Sequence, residues 1–342
     1  MPPSKNNFLD HVKWLRTAVR AQGAELLIAG DSMEALVRHG KRHWVLHPQF
    51  LAQVDGVSQY VPTLTDETTH FIGWLPYRNR RWPVAADKLL FKRVAHQAGL
   101  RVPEFSVEIG TGMTDVVVKR AASSFGEQVR GPFRMAADCP LDVAQGDYYE
   151  RFIEGELLKV WYWNGEAVGV EVDAMPAVLG DGRSTLRELI TQRATLMRSQ
   201  KEDALKRLID RSAGVLGYHG RSLDEVLPAG VRQRVEFRYG SDLMHPRGRR
   251  VVDLRADVEA AWAPLVAAGK VLRDAIPEET RAYTLFTLDA VRDKDQRIWF
   301  LEMNSNPTVH PLAYPPMMAG LIGGAKVKVE SSSVMKNAAM VV

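Results

Sequence analysis

The first eighty residues combine helical and strand-like patterns of apolar positions. Apolar residues recur at spacings of four, three and four positions at the start of the chain: Phe8, Val12, Leu15 and Val19. This periodicity predicts an amphipathic helix that ends before Gly23, and the apolar run 25–30 predicts a short buried strand after it. Residues 32–39 fit a second helix and residues 44–46 a second strand. The order helix, strand, helix, strand predicts a layered α/β unit.

Beyond residue 80 the pattern favours strands joined by short polar turns. A helix is predicted over 84–103, because its apolar residues share one face and a glycine and a proline mark its end. Thr185 and Glu188 form a capping box, which predicts a helix from about residue 186. Residues 194–250 are charged and irregular in pattern, and 258–275 fit a further helix. The predicted strands of this half are 116–118, 147–153, 157–163, 167–172, 285–291 and 298–302.

Composition and charge exclude several classes of protein. The chain has 342 residues, of which 46% are hydrophobic and 25% are charged, as in ordinary folded globular proteins. Lys and Arg (45) exceed Asp and Glu (41) by four, but the two signs are interleaved, so we predict no basic face for nucleic acid. The tightest basic run, Arg78, Arg80 and Arg81, is interpreted as a solvated loop, with an anion-facing loop as the alternative.

The sequence also lacks the usual marks of a membrane or secreted protein. No apolar stretch approaches the roughly 18 residues that a membrane-spanning helix needs, and the N-terminus has no apolar segment typical of a signal peptide. Cys139 is the one cysteine, so no intrachain disulfide can form, which suits a reducing compartment. We therefore predict a cytoplasmic protein with no membrane partner, and a structural role for Cys139.

The predicted C-terminal hairpin carries a group of oxygen ligands. Glu302 and Asn304 share one face because side chains alternate along a strand, and Asp289 lies on the neighbouring strand. Two carboxylates and an amide oxygen on adjacent strands suit a hard cation such as Mg²⁺, which commonly joins carboxylates to substrate phosphates. The alternative is an ordinary hairpin with polar residues in water. This alternative explains the polar residues of the turn. It explains poorly the polar residues from Glu302 onward, which follow a buried apolar strand.

A second group of residues suits phosphate. Lys119 closes an apolar strand and precedes a loop of small residues that contains Ser123, Ser124 and Gly126. Backbone N–H groups of such a loop can surround a phosphate, while the lysine adds a point charge. The chain has no Gly-Lys-Ser or Gly-Lys-Thr sequence and no glycine fingerprint after a strand. Neither a P-loop nor a Rossmann nucleotide site is therefore predicted.

Five motifs in a fixed order resemble the ATP-grasp superfamily. They are Asp87-Lys88 at the start of a helix, 99–103, 117–119 with its small-residue loop, 150–155, and Asp289 with 302–304. A more specific stretch, 175–190 (MPAVLGDGRSTLRELI), resembles a segment of cyanophycin synthetase and of the ATP-grasp part of bifunctional glutathione synthetases. The stretches 223–230 and 251–254 continue in the same order. The resemblance covers about 84–312 and leaves 1–80 and the tail uncovered.

The resemblance implies an ATP-grasp fold of the mixed α/β (α+β) class. It implies an N-terminal α/β domain over 1–83, a small lid subdomain over 84–153 and a C-terminal antiparallel-sheet subdomain over 154–320. We expect an insertion at about 191–250 to shape the substrate pockets, and a flexible tail over 321–342.

The same resemblance implies a nucleotide site. Lys88 and Lys119 would hold the phosphates of ATP, and the loop with Ser123, Ser124 and Gly126 would close over them. The hinge that meets adenine, mostly through backbone groups, would consist of Glu150, Arg151, Phe152 and Ile153.

Further roles follow from the resemblance at the reacting end. Asp289, Glu302 and Asn304 would hold Mg²⁺, with Mn²⁺ as an alternative ion. Lys159 stands where the family usually has an arginine and could meet phosphate as a point charge. Arg238 would neutralise the charge of the acyl phosphate, and its alternative is an ordinary surface strand residue. Together with Lys119, these two basic residues form the predicted catalytic set.

Three departures from the family pattern bear on substrates. Leu157 stands where the family usually has an acidic residue, so Glu156, one place earlier, is the candidate for contact with ribose. Ala174 replaces an arginine that anchors substrate in the cyanophycin type, so we expect a different acceptor. The chain also lacks the Mur-ligase half of cyanophycin synthetase, and cyanophycin synthesis is not predicted.

The implied reaction joins a carboxylate to an amine with ATP, through an acyl phosphate. The substrates would be amino acids, a short peptide or a natural-product carboxylate, and homodimers are common in the family. Two alternatives stay open: a ligase that modifies a peptide or protein chain, and a nucleotide-binding protein without ligase activity.

Overall fold

Four antiparallel sheets and eight helices form the part of the chain described by the computed structural model. The described residues are 8–55, 57–122, 128–196, 202–239, 241, 243, 249–256 and 260–324. The helices are α1 (Phe8–Arg20), α2 (Pro83–Ala86), α3 (Lys88–Gln97), α4 (Leu186–Leu196), α5 (Glu202–Tyr218), α6 (Ala263–Asp274), α7 (Glu278–Arg281) and α8 (Tyr314–Gly323). The predicted mixture of helices and antiparallel sheet is confirmed.

The N-terminal sheet has five strands, which are β1 (Glu25–Ile28), β2 (Ala35–His39), β3 (Arg42–Val54), β4 (Val57–Val61) and β5 (Thr68–Leu75). The long strand β3 pairs with β2, β4 and β5, each time antiparallel. The helix predicted over 32–39 is wrong, because this stretch contains β2, in which buried Ala35 and Val37 alternate with more exposed residues. A short apolar run fits either kind of element, and here pairing with β3 decides.

A second sheet contains β6 (Phe105–Ser106), β7 (Thr114–Arg120), β8 (Arg130–Met135) and β9 (Asp147–Arg151), in the order β6-β9-β7-β8. We call it the lid sheet. Its own small apolar core includes Val116, Val118 and Tyr149, all buried. Lys119 of β7 pairs with Tyr148 of β9, two residues before Glu150, so Lys119 and Glu150 lie diagonally on the same face of neighbouring strands.

The remaining strands are β10 (Gly155–Trp163), β11 (Glu166–Ala174), β12 (Ala177–Leu179), β13 (Arg232–Arg234), β14 (Arg250–Asp253), β15 (Leu285–Asp293) and β16 (Ile298–Asn304). Five of them form the central sheet, in the order β14-β11-β10-β15-β16, while β12 and β13 pair with each other. The strands predicted over 157–163, 167–172, 285–291 and 298–302 all lie in this sheet.

The two faces of the central sheet differ in chemistry. The apolar face packs with residues of α3 and α6 and includes Leu158, Val160, Tyr162, Phe286, Leu288, Ile298, Phe300 and Met303. The polar face, as we call the other side, carries Lys159, Glu171, Asp173, Asp289, Glu302 and Asn304, by alternation and cross-strand register.

A β-bulge places two of these polar residues on their face. The register between β15 and β16 shifts so that Asp289 pairs with Glu302 while the next residue, Ala290, pairs with Phe300. Strict alternation would put Glu302 on the same side as Phe300, among the apolar residues. The extra residue in β16 reverses the side on which the following residues lie. Glu302 therefore lies on the polar face opposite Asp289, while Met303 packs in the apolar core.

Three other elements differ from the pattern-based expectation. The charged stretch 194–250 contains α5, a helix of seventeen residues that packs beside α4 through Leu208 and Leu216. The helix predicted over 84–103 is divided at Asp87, whose side chain accepts hydrogen bonds from the first backbone N–H groups of α3. Helix α8 extends beyond Gly320, and the tail from residue 325 lies outside the described residues. No described helix has the length and apolar character needed to cross a membrane.

Candidate nucleotide and metal site

An apolar cleft lies between the lid sheet and the central sheet. The space within it, together with the part open to solvent, amounts to about 320 Å³. Its apolar walls are Val117, Leu157, Met175, Phe237, Val291 and Leu301. One end is polar, where Lys119 and Glu150 border the space. A flat apolar group with a negatively charged extension would fit such a cleft, because its walls are mostly apolar and Lys119 borders it.

The backbone crosses from the lid sheet to the central sheet along this cleft. Strand β9 ends at Arg151, and the N–H of Phe152 donates to the carbonyl of Asp115 at 2.6 Å. The ring of Phe152 meets the ring of Phe237 edge-on, with centroids 5.1 Å apart. Gly155 begins β10 so close to its neighbour that an added Cβ would lie 2.1 Å from the carbonyl oxygen of Arg292. Only glycine fits at this position, because a side chain would collide with the backbone of β15. The predicted hinge therefore ends at Gly155.

Two lysines flank one buried carboxylate at the polar end of the cleft. Glu150 accepts from the Nζ of Lys119 at 2.7 Å and lies 2.6 Å from the Nζ of Lys92. Burial alone would raise the pKa of Glu150, but the two lysines outweigh it and lower the pKa to about 2. The hydroxyl of Tyr148 also donates to Glu150, at 3.3 Å. The trio keeps one surplus positive charge beside the cleft.

Sequence reasoning missed Lys92, which is fully buried. The spacing between Lys92 and Lys88 was the indication of its role that the sequence offered. Lys92 follows Lys88 by four positions in α3, so both project from one face of the helix. Burial lowers the pKa of Lys92, and Glu150 opposes that shift.

Two carboxylates face each other on the polar face. Asp289 and Glu302 are register partners on β15 and β16. Lys159 lies 2.7 Å from Asp289, and Lys88 lies 3.2 Å from Glu302. The amide of Asn304 donates to Asp289 at 3.3 Å. Each carboxylate therefore has its own lysine, and the amide lies beside the pair.

The electrostatics of this acidic pair favour a cation. Burial is the largest influence on Asp289, and together with the negative charge of Glu302 it raises the pKa of Asp289 despite Lys159. Burial also acts to raise the pKa of Glu302, but three lysines led by Lys88 lower it. No group of three or more His, Cys, Asp or Glu side chains that could hold a metal occurs among the described residues. Two carboxylates with one amide oxygen nevertheless match the ligand chemistry of Mg²⁺.

The N-terminal sheet contributes a residue that the sequence did not single out. Tyr60 of β4 is half-buried, and burial together with Asp289 and Glu302 raises its pKa to about 12. The same sheet is joined to β15 by Tyr77, whose hydroxyl bonds the backbone of Leu285 at 3.0 Å. No motif marked residues 1–80, so only the fold brings Tyr60 to the acidic pair.

Two predicted site residues lie away from the acidic pair. Glu156 shares the apolar face with Leu158 and pairs with Arg292, whose Nε lies 2.9 Å away, so it lies on the side of β10 opposite Leu157. Leu157, not Glu156, lines the cleft. Arg238 bonds Glu236 at 2.8 Å and the carbonyl of Val129 at 2.9 Å, next to the lid sheet. Burial lowers the pKa of Arg238.

The other predicted residues fall into two groups. Ser123, Ser124 and Gly126 lie outside the described residues. The cleft and the polar face bring together the rest, which are Lys88, Lys119, Glu150, Arg151, Phe152, Ile153, Lys159, Asp289, Glu302 and Asn304.

Comparison with known proteins supports the resemblance inferred from the motifs. No family model matches the chain. The chain is 24% identical over 259 residues to the glutathione biosynthesis bifunctional protein GshAB of Streptococcus thermophilus. This match covers 67% of this chain and 33% of that protein. The chain therefore spans about a third of the length of the curated relatives it matches. The predicted resemblance to bifunctional glutathione synthetases is confirmed as a sequence similarity to this glutathione biosynthesis protein.

Solved structures give partial likenesses. A bifunctional glutathione synthetase from Pasteurella multocida matches with a TM-score of 0.44 and 14% identity, over 92% of this chain and 43% of that chain. A D-alanine–D-alanine ligase from Bacillus anthracis matches with a TM-score of 0.38 and 12% identity, over 69% of this chain and 66% of that chain.

Proposed function

We propose that the protein is an ATP-dependent carboxylate–amine ligase that forms an amide or peptide bond through an acyl phosphate. One observation carries this proposal. An apolar cleft, a surplus cation and a facing pair of carboxylates follow one another along one connected surface. This order matches the adenine, phosphate and metal parts of a bound nucleotide. The sequence similarity to a glutathione biosynthesis protein supports it.

ATP would bind with adenine in the apolar cleft. The hinge at Arg151, Phe152 and Ile153 would face the adenine edge with backbone groups, and Phe237 would cover a face of the ring. The phosphates would then extend to Lys119 and Lys88. The loop with Ser123, Ser124 and Gly126 would close over them, as the family resemblance implies.

Mg²⁺, or Mn²⁺ in its place, would be held by Asp289, Glu302 and Asn304. The ion would draw negative charge from the phosphate oxygens that it contacts. Lys88 and Lys159 now neutralise the two carboxylates. A bound cation would take over that role and leave both lysines free to contact phosphate.

The residues of the chain would act mainly by position and charge. A substrate carboxylate attacks the γ-phosphorus, the bond to ADP breaks, and an acyl phosphate forms. An amine then attacks the acyl carbon and phosphate leaves. Lys119 and Lys159 would stabilise the charge that shifts between oxygens, and Arg238 would do so from the lid side. The closed loop would exclude water, which protects the acyl phosphate.

Amino acids, a short peptide or a natural-product carboxylate remain the proposed substrates, together with a small amine. A ligase that acts on a peptide or protein chain is the second candidate, and a nucleotide-binding protein without activity is the third. The proposal includes a cytoplasmic location, a homodimer and the division into 1–83, 84–153 and 154–320 with a flexible tail. The paired acidic residues with their lysines favour an enzyme over the third candidate.

The decisive experiment supplies ATP, Mg²⁺ and pooled amino acids, and measures phosphate release together with product mass. A product one water lighter than two pool members would support a small-molecule ligase and identify its substrates. Hydroxylamine in place of the amines would trap the acyl phosphate as a hydroxamate. Glu302→Gln should abolish both signals, whereas the exposed Glu166→Gln on the same sheet should keep both. If Glu302→Gln retained normal turnover, Glu302 would have no place in the site.

A further inference from the structure

A buried polar cluster extends the row that contains the acidic pair. Glu171 of β11 is the register partner of Lys159, which in turn is the register partner of Asp289. Asp173 lies two residues further along the same face. Both carboxylates are nearly inaccessible, with exposed fractions of 6% and 3%. We call Glu171, Asp173, Tyr239, Arg249 and His310 the Glu171 cluster.

One arginine bridges the two carboxylates of the Glu171 cluster. Arg249 lies 2.8 Å from Glu171 through Nη1 and 2.8 Å from Asp173 through Nε. The hydroxyl of Tyr239 donates to Glu171 at 2.6 Å, and its ring lies under the Nζ of Lys159 at 4.8 Å. The cluster is therefore in contact with the lysine of the acidic pair.

His310 adds no positive charge to balance the two carboxylates of the Glu171 cluster. The Nδ1 of His310 accepts from the backbone N–H of Leu312 at 3.1 Å, so a neutral ring carries its proton on Nε2, which lies 3.7 Å from Glu171. Burial, assisted by Arg249, lowers the pKa of His310 to about 4, so the ring is neutral near pH 7. Two carboxylates and one arginine leave the cluster with one surplus negative charge.

The bonds within the cluster use only half of the carboxylate oxygens. Arg249 and Tyr239 bond the Oε2 of Glu171 and the Oδ2 of Asp173. Among the described residues, the Oε1 of Glu171 has only the Nε2 of His310 near it, at 3.7 Å and beyond hydrogen-bond distance. Within the described part of the chain, no contact occupies the Oδ1 of Asp173. A ligand with N–H groups and a positive charge would satisfy both oxygens.

A second observation beside the cluster also indicates a ligand. Thr287 has no exposed surface, and its Oγ1 has no hydrogen-bond partner among the described residues. It shares the polar face with Asp289, two residues away, and pairs with Trp161, whose ring lies tilted against that of His310 with centroids 4.8 Å apart. A buried hydroxyl without a partner is costly unless something binds it. Thr287 lies between the Glu171 cluster and Asn304, which is the register partner of Thr287 on β16.

We propose that the Glu171 cluster binds the amine substrate as its ammonium form, through Glu171 and Asp173. This inference rests on the proposed ligase function and assigns its second substrate. Glu171 and Asp289 are separated by one strand, so their backbones lie about 10 Å apart. The ammonium would pass one proton to a carboxylate of the Glu171 cluster. The free amine would then attack the acyl carbon of the acyl phosphate held at the acidic pair, above Lys159, and phosphate would leave. The surplus negative charge would repel the carboxylate substrate and keep the two substrates in separate places.

The test separates charge recognition from the chemistry. Glu171→Gln and Asp173→Asn remove one charge each and retain shape. Each should raise the KM of the amine found in the pooled assay by about tenfold or more, because each removes a charged hydrogen bond. Hydroxylamine is uncharged near pH 8, so hydroxamate formation should stay within about twofold of the unmodified protein. Glu225→Gln, which removes the partner of Arg221 at the surface, is the matched control.

A direct titration complements the kinetics. 1,5-Diaminopentane, measured by calorimetry with ADP and Mg²⁺ present, should bind the unmodified protein and Glu225→Gln equally, and both cluster variants at least about tenfold more weakly. Equal binding by all four proteins, or no binding to any, would overturn the proposal. Equal losses of amine use and hydroxamate formation in both variants would also overturn it, since they indicate a structural network. Failure of the unmodified protein to form any hydroxamate would instead contradict the ligase function itself.

Discussion

The two faces of the central sheet come from the same strands but differ in what they do. On one face Tyr162 and Phe286 stack with centroids 5.0 Å apart, in a continuous apolar core. On the other face Lys159, Asp289 and Glu302 form buried charged contacts that contribute little net stability, because desolvation offsets their attraction. Alternate residues of one strand can therefore be altered with opposite results. Changes on the apolar face should lower stability, and changes on the polar face should lower activity.

The largest expected effect is on activity, in Glu302→Gln. Removing one of two facing carboxylates should lower turnover by about 10³-fold, as for other groups that stabilise charge in a transition state. The free energy of unfolding should change by less than about 1 kcal/mol, because the repulsion from Asp289 disappears together with the contact to Lys88. Steady-state phosphate release and urea unfolding check the two halves. A large loss of stability in Glu302→Gln would contradict the expectation that the polar face serves activity and not stability.

Phe286→Ala makes the opposite change on the apolar face of β15. Phe286 is fully buried, so truncation leaves a cavity and should lower the free energy of unfolding by about 3–5 kcal/mol. Well below the melting temperature, the KM for ATP should be unaltered, because the residue does not line the cleft. Calorimetric unfolding and ATP-dependent phosphate release measure both. A selective rise in KM with unaltered stability would contradict the comparison.

Lys92→Met tests the buried trio at the edge of the cleft. Removing one of two lysines from Glu150 should lower the free energy of unfolding by about 3 kcal/mol near neutral pH. The pKa of Glu150 is lowered from 4.5 to about 2, so its pairing stabilises the fold fully above pH 4.5 and is lost as pH falls toward 2. The difference between the two proteins should therefore shrink over that interval. Urea unfolding of both proteins from pH 2 to 7 measures this difference in the free energy of unfolding. If the difference did not change with pH, the effect of Lys92 would not depend on the charge of Glu150.

Glu156→Gln should have the smallest effect and sharpens the comparison most. The family resemblance makes Glu156 a candidate for contact with ribose, whereas the structure places Glu156 on the apolar face beside Arg292. The KM for ATP should stay within about twofold, and the free energy of unfolding should fall by less than about 1 kcal/mol, as for partly exposed ion pairs. A KM several-fold higher would return Glu156 to the site.

Much of the candidate site could be predicted because its residues sit in local patterns. Lys119 ends an apolar strand, Gly155 marks the hinge, and Asp289 and Glu302 flank one hairpin turn. Such features depend on neighbours a few residues away, which the sequence displays directly. The stretch 32–39 was ambiguous for the same reason. It is short enough for helix or strand, and only its pairing with β3 decides between them.

Long-range contacts explain what the sequence did not show. Tyr60 and Arg249 carry no motif, and they reach the polar face only because separate parts of the chain fold against it. The seventeen-residue α5 was hidden in a charged stretch, since its buried face needs α4 to become evident.

Local sequence patterns were enough to predict the mixed α/β class, the order of the motifs and most residues proposed to surround the nucleotide. The side of each strand on which those residues lie depends on strand pairing. Glu302 illustrates the reason. The alternation of side chains fixes facing only until a residue is inserted, and the bulge opposite Asp289 reverses it. That bulge depends on pairing between β15 and β16. The local sequence does not encode it, yet it brings the two carboxylates together.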